Sequence, residues 1–344
     1  TVSGSSGVLS TAKGELRKQA LEKIEPGLLD STSEGKYEEA IVYLKEQVDT
    51  TEVAKEAEDK LSSALTPHTK KLEVRKEVIN ALKDNAEDSQ QNLLLYISQE
   101  KKKSSVEEYK SYYIINAVYV KAKIDVIENL AYRDDVEKIY ENKLVKLDEP
   151  QITKEKKIQA NENGVEWNVE KVKADQAWDL GIDGTGVVVG TIDTGATWNH
   201  PALKTKWRGY NPNDPGTPDL TGNWFDPING STLPVDETIS PHGTHVMGTI
   251  LGQESDGSNK IGAAPGATWI AAKAFTELGG YDDDILSAAE WMLAPGGDPL
   301  KAPDVVNNSW GGGDGIDDWY RDAVRNWRAA GIVPVFSAGN QRTG

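Results

Sequence analysis

The sequence predicts an α/β protein in which a parallel-sheet domain forms the second half and a separate α+β domain precedes it. Two observations support this prediction: the composition changes near residue 160, and short apolar strands alternate with helices beyond that point. All ten Trp residues lie after residue 160, and so do most of the 32 Gly. Such a change marks a boundary between domains of different architecture, and a chain of 344 residues is long enough for two.

The second half is predicted to form a parallel sheet because its apolar segments are short and are followed, directly or within five residues, by Gly, Asn or Asp. Strands that alternate with helices form right-handed βαβ units, and ligands bind beyond the carboxyl ends of such strands. The predicted strands cover residues 187–192, 269–274, 305–310 and 332–337, and the predicted helices cover 243–251, 282–293 and 316–330.

The first half has a different pattern, which predicts helices packed on an antiparallel sheet. The predicted strands cover 39–44, 112–120, 136–140 and 143–147, and the predicted helices cover 52–91, with an interruption near Pro67, and 124–130. We expect a partly ordered lead-in over residues 1–35, a domain over 36–148, an exposed linker with a processing site over 149–163, and the parallel-sheet domain over 164–344.

Composition excludes several classes of function. A net charge of -17 repels phosphate backbones, so we expect no nucleic-acid partner. The absence of cysteine excludes disulfides and thiolate chemistry. No apolar run approaches the length of a membrane span, so we expect no transmembrane segment. The chain begins Thr-Val-Ser-Gly, and we expect a signal peptide to be absent from these residues.

Two residues could move protons. Asp193 directly follows a predicted strand, where a carboxylate can reach a neighbouring imidazole, although a turn Asp is the plain alternative. His242 stands beside Gly at a helix start, which suits a general base. His245 lies one turn further on, and we expect it to pack internally. A metal pair of His242 and His245 is the rival interpretation, but no Glu lies between them and no third ligand is evident.

Two further segments lie at predicted strand ends. Asn340 could donate its amide to a developing oxyanion, or it could be a turn residue. Ser309 precedes Trp310 and Gly311, and the Gly residues that follow leave backbone groups open to an added peptide strand. Ser309 itself is a poor candidate for a nucleophile, because no helix follows it to form the elbow that exposes a reactive serine.

Taken in order, these segments resemble the successive signatures of the subtilisin-like serine proteases. The resemblance covers about residues 163–344, and the first half resembles the propeptide of the same family. Its motifs are Asp193-Thr194-Gly195, His242-Gly243-Thr244-His245, Asn308-Ser309-Trp310-Gly311 and Ser337-Ala338-Gly339-Asn340.

The resemblance implies a subtilisin-like catalytic domain preceded by an α+β ferredoxin-like propeptide domain. It implies a secreted serine endopeptidase that acts on proteins and peptides, requires no cofactor for its chemistry and is inhibited by its own propeptide. Asp193 would orient the imidazole of His242, the general base, and Asn340 would donate to the oxyanion. Ser309, Trp310 and Gly311 would line one side of the substrate cleft, and Gly279 and Gly280 the other.

The sequence departs from the family pattern in two places. The family nucleophile lies in a Gly-Thr-Ser segment, which these 344 residues do not contain, so we expect the chain alone to be inactive. Many members place an Asp calcium ligand where this chain has Ala202, which leaves a structural calcium open. The alternatives are a non-catalytic homologue that acts as a binding or inhibitory module, and a metallohydrolase.

Overall fold

The structure is a computed structural model that describes residues 5–30, 35–147, 164–311 and 318–340. Its contacts divide the chain into two compact units. The first contains Thr1–Val53 and Asn80–Lys143, and the second contains Ala54–Ile79 and Leu144–Gly344. Residues 54–79 therefore belong by contact to the second unit, although they lie inside the predicted domain 36–148. Within the described ranges, no helix combines the length and the apolar character that a membrane crossing needs.

The first unit is built on a four-stranded antiparallel sheet with the strand order β2-β3-β1-β4. Its buried core consists of aliphatic side chains from the sheet and from the helices that cover it. The elements are α1 (Ser5–Glu22), α2 (Pro26–Leu29), β1 (Tyr37–Leu44), α3 (Thr50–Lys60), α4 (Pro67–Lys102), β2 (Val106–Tyr112), β3 (Ala117–Lys123), α5 (Ile124–Ala131) and β4 (Val136–Glu141), with α3 and α4 shared between the two units. This is an α+β arrangement with the strand order of a ferredoxin-like sheet.

The prediction of a single strand over 112–120 is wrong in its continuity: residues 113–116 are the turn of a hairpin, and residues 117–120 belong to the second strand of that hairpin. β2 ends at Tyr112, and β3 begins at Ala117. Asn116 has a φ of 41°, in the left-handed region that Asn tolerates better than β-branched residues do. Ile114 and Ile115 are fully buried within the turn, so their apolar character reflects burial rather than extended backbone.

The second unit contains a five-stranded parallel sheet with the order β11-β10-β6-β8-β7, which confirms the predicted parallel fold. The elements from Leu144 onward are β5 (Leu144–Val145), α6 (Trp167–Lys171), α7 (Ala174–Asp179), β6 (Val188–Asp193), β7 (Trp224–Phe225), α8 (His242–Leu251), β8 (Thr268–Lys273), β9 (Gly280–Tyr281), α9 (Asp282–Leu293), β10 (Val305–Asn308), α10 (Arg321–Ala329) and β11 (Val333–Phe336).

The central strand β6 positions the site. It pairs in parallel with both β10 and β8, and five of its six residues are buried. Because parallel strands run in one direction, their carboxyl ends share one edge of the sheet. This edge therefore brings Asp193 at the end of β6 close to the residues that follow β10 and β11.

Candidate active site

Asp193 and His242 form a hydrogen-bonded pair at the carboxyl edge of the sheet. The Nδ1 atom of His242 lies 2.8 Å from Oδ1 of Asp193. The carboxylate is completely buried, whereas the imidazole keeps 17% of its side-chain surface exposed. The acid therefore lies inside the protein, and the base lies at the surface, where a substrate can reach it.

The first turn of α8 is attached directly to the end of β6. The backbone N–H of Gly243 donates to Oγ1 of Thr194 at 2.9 Å. Gly243 permits this approach, because a Cβ at that position would lie 2.1 Å from the carbonyl oxygen of Gly195. The Asp-Thr-Gly and His-Gly-Thr-His segments are thus two halves of one contact, which places His242 against Asp193.

Asp236 supplies a second attachment for α8, which the sequence did not reveal. The residue that precedes the helix, Pro241, offers no capping side chain. Instead, Oδ2 of Asp236 accepts from the backbone N–H of Thr244 at 2.9 Å and from its hydroxyl at 2.8 Å. Oγ1 of Thr244 also accepts from the N–H of Thr197 at 3.0 Å. Asp236 thereby binds an N–H that the helix itself leaves unpaired.

Burial dominates the electrostatics of Asp193. It raises the pKa of this carboxyl, because the charged form loses its hydration. The hydrogen bond and charge of His242 and the N–H of Thr194 act in the opposite direction, and the negative charge of Asp236 adds slightly to the rise. The N–H of Thr194 donates to Oδ1 at 2.7 Å. The same oxygen therefore accepts two hydrogen bonds, which support the ionised form.

Ser309, Trp310 and Gly311 follow β10 at the same edge of the sheet. Oγ of Ser309 accepts from Nδ2 of Asn307 at 2.9 Å. Trp310 is buried, and its indole N–H donates to the carbonyl of Ile192 at 3.0 Å, which ties this segment to the end of β6. Gly311 is exposed and is the last described residue before residue 318. The segment lies beside Asp193, and its contact with substrate stays a prediction.

Asn340 lies in an exposed bend after β11. The backbone N–H of Ser337 donates to the carbonyl of Asn308 at 3.0 Å, so the chain leaves β11 alongside the end of β10. The fold therefore brings Asn340 to the edge of the sheet that carries Asp193. Its role as an oxyanion donor stays a prediction.

Gly279 and Gly280 lie where an extended segment is bound. In β9, Gly280 and Tyr281 pair in antiparallel register with Val145 and Leu144. Gly279 has a φ of +127°, and a Cβ there would lie 2.4 Å from the carbonyl oxygen of Val145. A side chain at position 279 would therefore block the paired strand, which explains the need for glycine.

One expectation changes in this region. His245 is exposed on α8 rather than packed internally, because its position faces away from the buried face formed by Gly243, Met247 and Leu251. Ala202 is buried and presents only a methyl group. The Ala202 side chain therefore offers no oxygen ligand to a metal ion, and a structural calcium stays a prediction.

A buried Asp and a helix-borne His at the carboxyl edge of a parallel sheet are the arrangement that the resemblance to the subtilisin-like class implies. Residues 184–344 match the family model of Peptidase S8, described as the Subtilase family.

Among characterised proteins, Bacillopeptidase F of Bacillus subtilis is 50% identical over 297 residues, which cover 84% of this chain and 20% of that protein. The minor extracellular protease Vpr of the same species is 30% identical over 236 residues, which cover 66% of this chain and 27% of Vpr. The chain thus spans about a fifth to a quarter of the length of these relatives.

A solved structure supports the fold. The crystal structure of fervidolysin from Fervidobacterium pennivorans, a keratinolytic enzyme related to subtilisin, aligns with a TM-score of 0.52 at 20% sequence identity. The alignment covers 91% of this chain and 41% of that one.

Proposed function

We propose that the chain is the amino-terminal part of a secreted serine endopeptidase that is made as a zymogen and inhibited by its own leading region, the predicted propeptide domain over residues 36–148. The observation that carries the proposal is the 2.8 Å contact between Nδ1 of His242 and Oδ1 of Asp193. An imidazole held in this way by a buried carboxylate is the general base of serine acyl transfer. The protease relatives support the same activity.

Each residue of the site then has a specific role in the proposed reaction. Asp193 accepts a hydrogen bond from Nδ1–H of His242 and so leaves the lone pair on Nε2. Nε2 takes the proton of the attacking serine and later gives it to the leaving amine. The amide of Asn340 donates to the negative oxygen of the tetrahedral intermediate. These 344 residues contain no Gly-Thr-Ser segment, so the proposal places the nucleophile in sequence that follows Gly344.

The paired strands β5 and β9 support the inhibitory part of the proposal. Leu144 and Val145 show that the edge at Gly280 and Tyr281 accepts an extended segment of this chain through backbone hydrogen bonds. A leading region bound in this way would compete with a substrate peptide. Secretion is supported by relatives whose names describe extracellular proteases, among them Vpr and the extracellular basic protease of Dichelobacter nodosus.

The second candidate is a non-catalytic homologue that binds or inhibits other proteins. This candidate requires no nucleophile, and it is compatible with the lack of a Gly-Thr-Ser segment in these 344 residues. The two functions make opposite predictions for the chain extended by its natural downstream sequence. The enzyme hydrolyses protein substrates and reacts with serine-directed reagents, whereas the binding module does neither.

The test measures casein hydrolysis by the extended protein and by the present chain. We expect activity only in the extended protein, with kcat lowered by about 10⁴–10⁶ in His242→Ala and KM little changed, because the base acts in the transition state. His245→Ala is the matched control, and because its side chain is exposed we expect near-normal kcat. Activity of the present chain that depends on His242 would disprove the assignment of the nucleophile, and an inert extended protein would favour the binding module.

A further inference from the structure

Arg75 is a fully buried arginine on helix α4, far in sequence from the groups that bind it. Only 2% of its surface is exposed. Its Nε donates to the carbonyl of Ala330 at 2.9 Å, Nη1 donates to the carbonyl of Ala302 at 3.1 Å, and Nη2 lies 3.4 Å from the carbonyl of Pro303. All of these residues belong to the second unit. Burial of a guanidinium is costly unless its N–H groups donate hydrogen bonds, and here three carbonyl oxygens accept them.

The three carbonyls form a site that suits a planar cation. Ala330 is the C-cap of α10, so its carbonyl lies at the negative end of the helix dipole. Ala302 and Pro303 belong to the turn that leads into β10. The fork of guanidinium N–H groups can reach carbonyls from two separate loops at once, which a lysine ammonium cannot do with the same geometry. We call this set, the carbonyls of Ala302, Pro303 and Ala330, the carbonyl socket.

Asp304 extends the socket towards the sheet. Its Oδ1 pairs with Nζ of Lys71 at 2.5 Å, and its Oδ2 accepts from the N–H of Val188 at 3.0 Å. The backbone of Asp304 bonds to Val188 at 2.9 Å on one side and to Val333 at 2.9 Å on the other. Asp304 therefore joins the amino ends of β6, β10 and β11, at the opposite end of β6 from Asp193.

We propose that the carbonyl socket is the site through which the protease domain recognises the leading region, and that Arg75 is the recognition residue. The partner that the socket fits is an arginine side chain presented by a helix, with Lys71 as an auxiliary contact on Asp304. Through this contact, the segment 67–79 links the amino ends of β10 and β11, whose carboxyl ends lie at the edge of the sheet near Asp193. The inference rests on the proposed function only in treating the leading region as a segment that is released by cleavage.

The proposal is tested with the full chain, folded intact and then cut at a site-specific protease sequence placed within residues 149–163. The dissociation constant of the two fragments is measured by dilution of the labelled leading fragment. In Arg75→Met, which keeps the packing volume and loses the donors, we expect binding weakened by about 30-fold or more, as for truncation of a buried charged partner.

Lys71→Met should weaken binding by about fivefold or less, because that ion pair is one-third exposed at Lys71 and screened by solvent. The matched control is Lys76→Met, since among the described residues Lys76 bonds to Glu73 of its own helix, at 2.8 Å, and we expect no change. In Arg75→Ala, millimolar guanidinium chloride should restore part of the binding, and equal sodium chloride should not.

Arg75→Met that binds like the wild type would overturn the proposal. If Arg75→Met and Arg75→Ala do not fold as intact chains, the test uses Arg75→Lys instead. We expect this variant to bind about tenfold more weakly, because one ammonium cannot reach both loops. Unchanged binding in Arg75→Lys would also overturn the proposal. The proposed inhibitory function is tested separately. It would be disproved if the wild-type leading fragment did not inhibit the extended protease, and this outcome does not depend on what Arg75 contributes to binding.

Discussion

Asp236 shows how one carboxylate outside the recognisable motifs can position the pair formed by Asp193 and His242. It binds the N–H and the hydroxyl of Thr244 in the first turn of α8, and its other oxygen accepts from the hydroxyl of Thr238 at 2.9 Å. The helix begins at Pro241-His242 without a capping side chain of its own. Asp236 therefore fixes where the helix begins, and with it the position of the His242 ring.

Asp236→Ala should lower the free energy of unfolding of the chain by about 1–2 kcal/mol, which is the cost of a lost helix cap. In the extended protease it should lower kcat more than it raises KM, because a misplaced base acts on the chemical step. Urea denaturation and casein kinetics measure the two effects. Thr249→Ala is the control on the same helix, since within the described part of the chain its hydroxyl donates to the carbonyl of His245 in an exposed hydrogen bond. Equal effects of the two substitutions would contradict this role.

Residues inside short motifs were predictable, and Asp236 was not. Asp193 and His242 each lie next to Gly or Thr at an element boundary, where chemistry imposes a recognisable local pattern. Asp236 lies six positions before His242 in a loop of ordinary polar composition. Its function depends on how that loop folds back over α8, and such a path has no signature in local sequence.

At the scale of elements, the hairpin of β2 and β3 depends on a buried polar turn. Asn116 donates through Nδ2 to the carbonyl of Glu46 at 2.5 Å and to Oγ of Ser89 at 2.9 Å, and its Oδ1 accepts from Gln90 at 2.8 Å. Asn116 is 1% exposed. The Asn116 side chain supplies hydrogen bonds that an exposed turn would make with water. A turn can therefore lie within an apolar run, where the sequence pattern predicts a continuous strand.

Asn116→Ala should destabilise the chain by about 2–4 kcal/mol, because it leaves buried polar partners unpaired and places Ala at a positive φ. Asn116→Gly removes the same hydrogen bonds but tolerates the backbone conformation, so it should cost about 1 kcal/mol less. Urea unfolding followed by far-UV circular dichroism gives both values. If Gly and Ala are equivalent, the left-handed backbone contributes nothing and the cost lies in the hydrogen bonds alone.

At the scale of the whole molecule, the chain does not divide at a single point. The sequence indicated a boundary near residue 160 from composition, yet residues 54–79 pack with the second unit. Composition reports averages over long windows, and one buried Arg75 among many exposed charges does not change them. From sequence alone, a charged residue on a helix is expected to face solvent. The hydrogen bonds of Arg75 to the carbonyls of Ala302 and Ala330 could therefore not be predicted.

The pH dependence of stability should report on Asp304. Burial pushes the pKa of Asp304 upward, but the hydrogen bonds from Lys71 and Val188 and the charges of Lys71 and Arg75 outweigh it, so the folded-state pKa lies below its ordinary 3.8. The ionised group therefore stabilises the fold at pH values above 3.8, and this contribution is lost as the pH falls through the lowered folded-state pKa.

Asp304→Asn should lower the free energy of unfolding by roughly 1–3 kcal/mol at pH 7, the range for a hydrogen bond to a charged group. The difference from wild type should shrink below about pH 4, because the wild-type carboxylate is then protonated in the unfolded chain. Urea midpoints between pH 3 and pH 7 test this. Asp318→Asn, which removes an exposed pair with Arg321, is the control with little expected effect. A difference that stays constant across this range would show that the Asp304 charge is irrelevant.

The pairing of β5 with β9 has a consequence for selectivity. At Gly280 and Tyr281, the residues Leu144 and Val145 are bound through their main chain, which is the same in nearly every amino acid. Such an edge distinguishes poorly between side chains, but it excludes proline wherever an N–H must be donated. The edge therefore selects for the capacity to become a strand. Under the proposed function, we expect this condition to favour flexible or unfolded polypeptides as substrates over compact folded ones, whose backbone groups are already paired.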